Sequence, residues 1–245
     1  MKKIIAIGGG KIEKSQTTVI DQEIIRLTGK TKPTVLFIPT ASSDPDRYVH
    51  NFTQQFGKKL GCSIDVLYLI KEKPTLKEIT KKIFDADSIY VGGGNTLMMM
   101  KVWRKLGVDT LLKQAHERGI VLSGVSAGAI CWFKSGNSDS LKFKNPDADY
   151  IKVSGLGLVN LLCCPHYDGE SDRQPSLKAM MHKTSGVAIA LDDCAALEII
   201  DDQYRIISSK KGAQAYKVYW KQNKFYRDVI EQSKSFAFLK ALLKK

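Results

Sequence analysis

The chain has 245 residues, 43% hydrophobic and 26% charged, a composition that supports one substantial buried core and excludes a disordered or fibrous chain. No apolar run reaches the length of a bilayer crossing, and the five cysteines have neither metal-type nor disulfide-framework spacing, so a cytoplasmic protein without membrane association is expected. The formal charge of +13 raises the question of polyanions, but the lysines are scattered among acids and apolar residues, as in Lys71-Glu72-Lys73, and specific nucleic-acid binding is not expected.

Ile4-Ile5-Ala6-Ile7 is too short for the apolar part of a signal peptide and reads as a first buried strand. Further β-branched runs follow at Thr34–Ile38, Ile64–Leu69, Ser88–Val91 and Gly119–Ser123. Between them, Val19–Leu27, Tyr48–Leu60, Thr75–Phe84 and Leu97–Leu106 carry apolar residues at three- and four-residue spacing, as crossover helices do. The alternation predicts a three-layer, doubly wound α/β fold with a mostly parallel sheet. Beyond Gly136, short strands at Val187–Leu191, Ala196–Ile200, Tyr204–Ser208 and Ala213–Tyr219 predict a mixed or antiparallel extension of one domain over residues 1–245, and Ser235–Leu243 reads as a surface helix.

In such folds ligands gather at the carboxyl ends of the parallel strands. Gly8-Gly9-Gly10, Pro39–Asp44, Gly92-Gly93-Gly94-Asn95-Thr96 and Gly124-Val125-Ser126-Ala127-Gly128 all fall at such ends. The last of these, between a buried strand and the helix-like Ala129–Phe133, has the context of a nucleophile elbow: a tight turn that presents Ser126 while its glycines avoid clashes.

A serine hydroxyl needs a base, and the base an orienting acid. Of four histidines, His50 and His116 are expected on helix surfaces and His182 in the helical stretch Leu177–Thr184. His166 follows an apolar run and enters a polar loop, where a base belongs. Asp139 lies between nucleophile and base in chain order, with Asp147, Asp168 and Glu170 as competitors. The amides of Ala127 and of the Gly93-Gly94 turn are the candidate oxyanion donors.

Taken together, Gly92–Thr96, Gly124–Ala129 and Pro165-His166-Tyr167 resemble the dipeptidase E family of serine peptidases, relatives of cyanophycinase, from the first strand to at least Arg173. The resemblance implies a fold like the class I glutamine amidotransferases and hydrolysis of short peptides by a Ser-His-Asp or Ser-His-Glu triad. Carried onto this chain it makes Ser126 the nucleophile, His166 the base and Asp139 the acid, with Asn95 and Arg173 as substrate contacts, Arg173 through a substrate carboxylate. Acyl transfer by such a triad calls for neither a metal nor an organic cofactor.

Two rival readings make different demands. An α/β-hydrolase esterase shares the elbow but usually inserts more βα units before its histidine. A nucleotide or nucleic-acid binding module would use the glycine loops, yet Glu13 stands where the dinucleotide fingerprint needs its third glycine, and no Gly-Lys-Ser/Thr loop exists.

Overall fold

The computed structural model describes residues 1–244. Strands and helices alternate through its first half: β1 (Lys3–Ile7), α1 (Thr18–Thr28), β2 (Thr34–Ile38), α2 (Asp46–Phe52), β3 (Ser63–Val66), α3 (Leu76–Asp85), β4 (Ser88–Val91), α4 (Thr96–Leu106), α5 (Val108–Glu117) and β5 (Val121–Val125). The second half holds α6 (Ala127–Ile130), β6 (Phe133–Ser138), β7 (Ile151–Ser154), β8 (Val159–Cys164), α7 (Arg173–His182), β9 (Ala188–Leu191), β10 (Ala195–Ile200), β11 (Gln203–Ser208), β12 (Ala215–Lys221), β13 (Lys224–Ile230), β14 (Ala237–Phe238) and α8 (Lys240–Leu243).

The first five strands form a parallel sheet in the order β3-β2-β4-β5-β1, and β10, β11 and β14 extend it antiparallel from the β1 edge. Both faces are covered, and side chains alternate between them with the two-residue period of a strand. Ile5, Ile7, Val35, Phe37 and Tyr90 pack under α1 and α2, where Phe37 stacks on Phe52 at 4.1 Å and Phe52 on Phe56 at 4.4 Å. Ile4, Ala6, Leu36, Ile38, Ile89 and Val91 pack on the other face with Met99, Trp103 and Trp132.

The later strands depart from the expected extension. Six of them form a second sheet, β13-β12-β9-β8-β6-β7, with β6, β8 and β9 parallel. Leu161, Cys163, Ile189 and Leu191 from this sheet join the same core as the second face of the first. The chain returns to the first sheet through the turn between β9 and β10, and β10 pairs with β1 through Ile7 and Ala196.

Local differences have local causes. The expected helix after Ser126 stops at Ile130 because Phe133 enters β6 and pairs with Val159 of β8. The expected helix over Ser235–Leu243 is broken because Ala237 and Phe238 pair with Tyr204 and Gln203 of β11, leaving only a single turn in α8. The stretch Tyr48–Leu60 is helical but changes pitch, passing from α2 into π-helical turns over Thr53–Lys59. No helix among the described residues is long and apolar enough to cross a membrane.

The pitch change lets Gln55 reach back to α1, where its side-chain amide donates to Asp21 Oδ2 at 2.9 Å and to the Thr18 hydroxyl at 2.9 Å. Asp21 is fully buried, and its Oδ1 has no partner among the described residues. Burial pushes its carboxyl up to about 7, against the lowering effect of the Gln55 and Thr17 hydrogen bonds. The folded state therefore holds a proton that the unfolded chain has released, and stability contributed by Asp21 is present below about pH 4 and lost as pH rises through about 7. Urea unfolding between pH 4 and 8 is expected to show wild-type stability falling relative to Asp21→Asn, with a slope of at most about 1.4 kcal/mol per pH unit.

Candidate active site

Ser126 sits between β5 and α6 with φ 58° and ψ −111°, a conformation that L residues rarely adopt. Its amide donates to Ile7 O at 3.0 Å, continuing the β1–β5 ladder into the turn. The flanking glycines are required by close backbone approach. A Cβ on Gly124 would lie 2.5 Å from Gly128 O, and one on Gly128 would lie 2.1 Å from Val91 O. The elbow is thus wedged against β4, and its hydroxyl is turned out beyond the strand ends.

His166 emerges two residues after β8, with φ 138°. The Ser126 hydroxyl lies 2.6 Å from its Nε2, and Asp193 Oδ1 lies 2.8 Å from its Nδ1. A carboxylate can only accept, so the proton resides on Nδ1 and Nε2 accepts from Ser126. The hydrogen bond from His166 is the largest influence on the Asp193 carboxyl and holds it below the usual aspartate range, outweighing partial burial.

The carboxylate that meets His166 is therefore Asp193 and not Asp139. Asp139 follows β6 and ends in a turn where its carbonyl accepts from the Lys142 amide. Asp193 lies in the turn joining the two sheets. That turn is held from two sides: Cys194 N–H donates to Gly9 O at 2.9 Å, and Asp193 N–H donates to Asp168 Oδ1 at 3.0 Å. The other competitors are also occupied or remote. Glu170 accepts from Tyr150 and Arg173, and Asp147 is exposed in a surface turn.

Arg173, expected to meet substrate, is only 1% exposed. Its guanidinium pairs with Glu170 at 2.8 Å, donates to Asn137 O at 3.1 Å and stacks over Tyr150, so its donors are spent inside the protein. Asn95 is likewise structural: its Oδ1 accepts from Met98 N–H to cap α4, and its Nδ2 donates to Ser140 O. His116, expected on a surface, is buried on α5, and that burial lowers its pKa.

The glycine loop after β4 lies beside Ser126. A Cβ on Gly93 would be 3.9 Å from Ser126 Oγ. The Gly93 amide, a candidate oxyanion donor, donates to the Tyr48 hydroxyl at 3.2 Å. Gly94 has φ 134° and passes so close to Ala41 O that a Cβ there would lie 2.3 Å from it. Ala127 is the first residue of α6, where a helical N–H has no intrahelical acceptor. Next to this loop a cleft of about 430 Å³ opens between the residues after β1 and α2, lined among others by Gly10, Lys11, Glu13, Arg47 and Tyr48.

Sequence reasoning missed Asp193 as the partner of His166 and the spatial role of Gly9. For Asp193 the available signal was the acidic turn Asp192-Asp193 between two apolar strands, later in the chain than the histidine. Gly9 belongs to a glycine run that did stand out, but its purpose is spatial. A Cβ there would lie 1.9 Å from Asp193 Oδ1 and 2.4 Å from His166 Nδ1, so only glycine leaves room for that hydrogen bond.

Residues 4–207 match the family described as Peptidase family S51. The chain is 38% identical over 221 residues to the uncharacterized peptidase YgaJ of Bacillus subtilis, covering 89% of this chain and 92% of that protein. It is 24% identical over 201 residues to Peptidase E of Nostoc sp., covering 77% and 78% respectively. The crystal structure of a peptidase from an acI-B1 Actinobacterium superposes with a TM-score of 0.75 over 97% of both chains at 17% identity, which shows a shared fold.

Gly9→Ala is expected to force His166 and Asp193 apart while leaving both side chains in place chemically. Proton NMR should then lose the low-field Nδ1–H resonance of a carboxylate-bound imidazole; its retention would mean that the turn moves as a unit and keeps the pair.

Proposed function

Starting from a chain that belongs to peptidase family S51 and is a serine-type peptidase, we propose that it hydrolyses short peptides with Ser126 as nucleophile, His166 as general base and acid, and Asp193 as the orienting carboxylate. The observation that carries this reading is the continuous hydrogen-bonded line from Ser126 Oγ through both nitrogens of His166 to Asp193.

Ser126 Oγ attacks the peptide carbonyl carbon as its proton passes to His166 Nε2. The carbonyl oxygen takes the negative charge, and Asp193 stabilises the imidazolium through Nδ1–H without accepting its proton. Collapse of the tetrahedral intermediate breaks the C–N bond, and His166 returns the proton to the leaving amine. Water, deprotonated by the same imidazole, then attacks the acyl-enzyme and releases the acid and the free serine. Every step is proton transfer and acyl transfer, so the chain's own groups complete the cycle without a metal or organic cofactor.

The neighbouring cleft supports a small substrate. Its size of about 430 Å³ lies within the range of small-ligand sites. Lys11 and Arg47 on one hand and Glu13 on the other supply both signs of charge, as the two termini of a short peptide require. Arg173 takes no part, because Glu170 and Asn137 already hold it.

Ser126→Ala is expected to abolish both peptide cleavage and labelling by a fluorophosphonate. Asp193→Asn should lower kcat by roughly 10⁴-fold by favouring the wrong imidazole tautomer, whereas Asp139→Asn should stay within about 2-fold of wild type, as a surface change does. Steady-state kinetics on a dipeptide library checks all three, and the reverse order for the two aspartates would refute the assignment.

A further inference from the structure

His166 has a backbone conformation that side-chain-bearing residues rarely adopt, with φ 138°, and such a conformation persists only where its surroundings hold it. The loop that follows is fastened at successive residues. Tyr167 is buried against Tyr216, with ring centroids 5.1 Å apart, and its carbonyl accepts from Gln174 Nε2 at 2.8 Å. Asp168 then turns its carboxylate back to the turn between β9 and β10, where Oδ1 accepts from the Asp193 N–H at 3.0 Å. The chain passes on beside the Asp193 carboxylate, since a Cβ on Gly169 would lie 3.6 Å from Asp193 Oδ2.

Asp193 is therefore gripped twice by one short loop. The His166 ring donates to its side chain at 2.8 Å, and Asp168 accepts from its backbone at 3.0 Å. We propose that Asp168 is a positioning residue of this enzyme: through the hydrogen bond it accepts, and not through its charge, it sets the Asp193 peptide at the angle that aims the carboxylate at His166 Nδ1. The inference rests on the reading of Ser126, His166 and Asp193 as the catalytic triad.

The peptide between Asp192 and Asp193 is pinned at both of its polar ends. Its carbonyl accepts from Ala195 N–H at 3.1 Å, and among the described residues Asp168 is the one acceptor of its N–H. Without that acceptor the N–H is left unpaired, and the peptide tilts to find water. The backbone angle of Asp193 changes with the tilt, and with it the direction of the Cα–Cβ bond that carries the carboxylate. The charge of Asp168 has no such benefit. Burial is the largest cause pushing the neighbouring Asp192 carboxyl up to about 6, and the charges of Asp168 and Asp193 add to that rise. Three carboxylates thus crowd one turn, and that of Asp168 is exposed, so its charge is screened and works against its neighbours. What Asp168 supplies is an accepting oxygen in the right place, which an amide side chain also has.

Asp168→Ala removes the acceptor, whereas Asp168→Asn keeps an accepting oxygen and removes the charge. In Asp168→Ala, kcat on a short peptide is expected to fall about 10- to 100-fold, the usual cost of losing a hydrogen bond that orients a functional group from behind. KM should change less than about 3-fold, and the low-field Nδ1–H resonance of His166 should disappear from the proton NMR spectrum. Asp168→Asn is expected to restore the resonance and to bring kcat back to within about 3-fold of wild type. Equal losses in the two variants would mean that the charge acts, and a resonance retained in Asp168→Ala, whatever the rate, would mean that the turn aims the carboxylate unaided; either result overturns the proposal. Asp193→Asn, run in parallel, separates the two levels. Unchanged activity there counts against the triad and with it any part of Asp168 in catalysis, whereas activity lost there but kept in Asp168→Ala overturns only the latter.

Discussion

The turn between β9 and β10 rests on Gly9, and the absence of a side chain at that position is the constraint on which the site depends. Cys194 N–H bonds to Gly9 O, Asp193 reaches His166 across the space a Cβ would fill, and Asp168 holds the Asp193 amide from the opposite side. The contact joins the two sheets at their functional end. His166 and Asp193 follow the parallel neighbours β8 and β9 in the second sheet, whereas Ser126 follows β5 in the first. Any slip between the sheets would part Ser126 from His166.

The elbow itself stores strain. Ser126 and His166 both have positive φ, a conformation that costs of order 1–3 kcal/mol for each such residue. The surroundings over-determine both. Gly128 abuts Val91, the Ser126 amide is tied to Ile7 O, and Tyr167 directly after the histidine is buried against Tyr216. The core beneath, filled by Trp103 and Trp132, has little room to relax, so the strain is kept where it presents the hydroxyl and the imidazole to each other. The helix behind the serine spans only Ala127–Ile130, so its aligned dipoles are few and specific donors have more to do.

Charged groups near the site fall into two populations. Arg173, Glu170 and Tyr150 form a partly buried network that positions the loop after His166, and its members have little capacity left for a ligand. Lys11, Glu13 and Arg47 border an open cleft and retain theirs. An arginine soon after the histidine is thus a poor guide to substrate choice in this chain, because its donors are satisfied before any substrate arrives.

The parallel strands, the crossover helices, the elbow at Ser126 and the histidine at 166 were legible in the sequence because each is encoded locally: two-residue and near-four-residue apolar periods, two glycines around a serine, and a polar loop after an apolar run. Family membership was legible for the same reason, through three short motifs. Which carboxylate serves the histidine, where Arg173 and Asn95 spend their hydrogen bonds, and which hydroxyl shares the Gly93 amide were decided only by the tertiary structure. The contacts of Asp193 with His166, Arg173 with Asn137, Asn95 with Ser140 and Gly93 with Tyr48 join residues 27 or more positions apart. The Asp193–His166 contact depends on the chain leaving the first sheet, building a second and returning beside β1, and a pairing made by that return leaves no periodicity in the residues that take part.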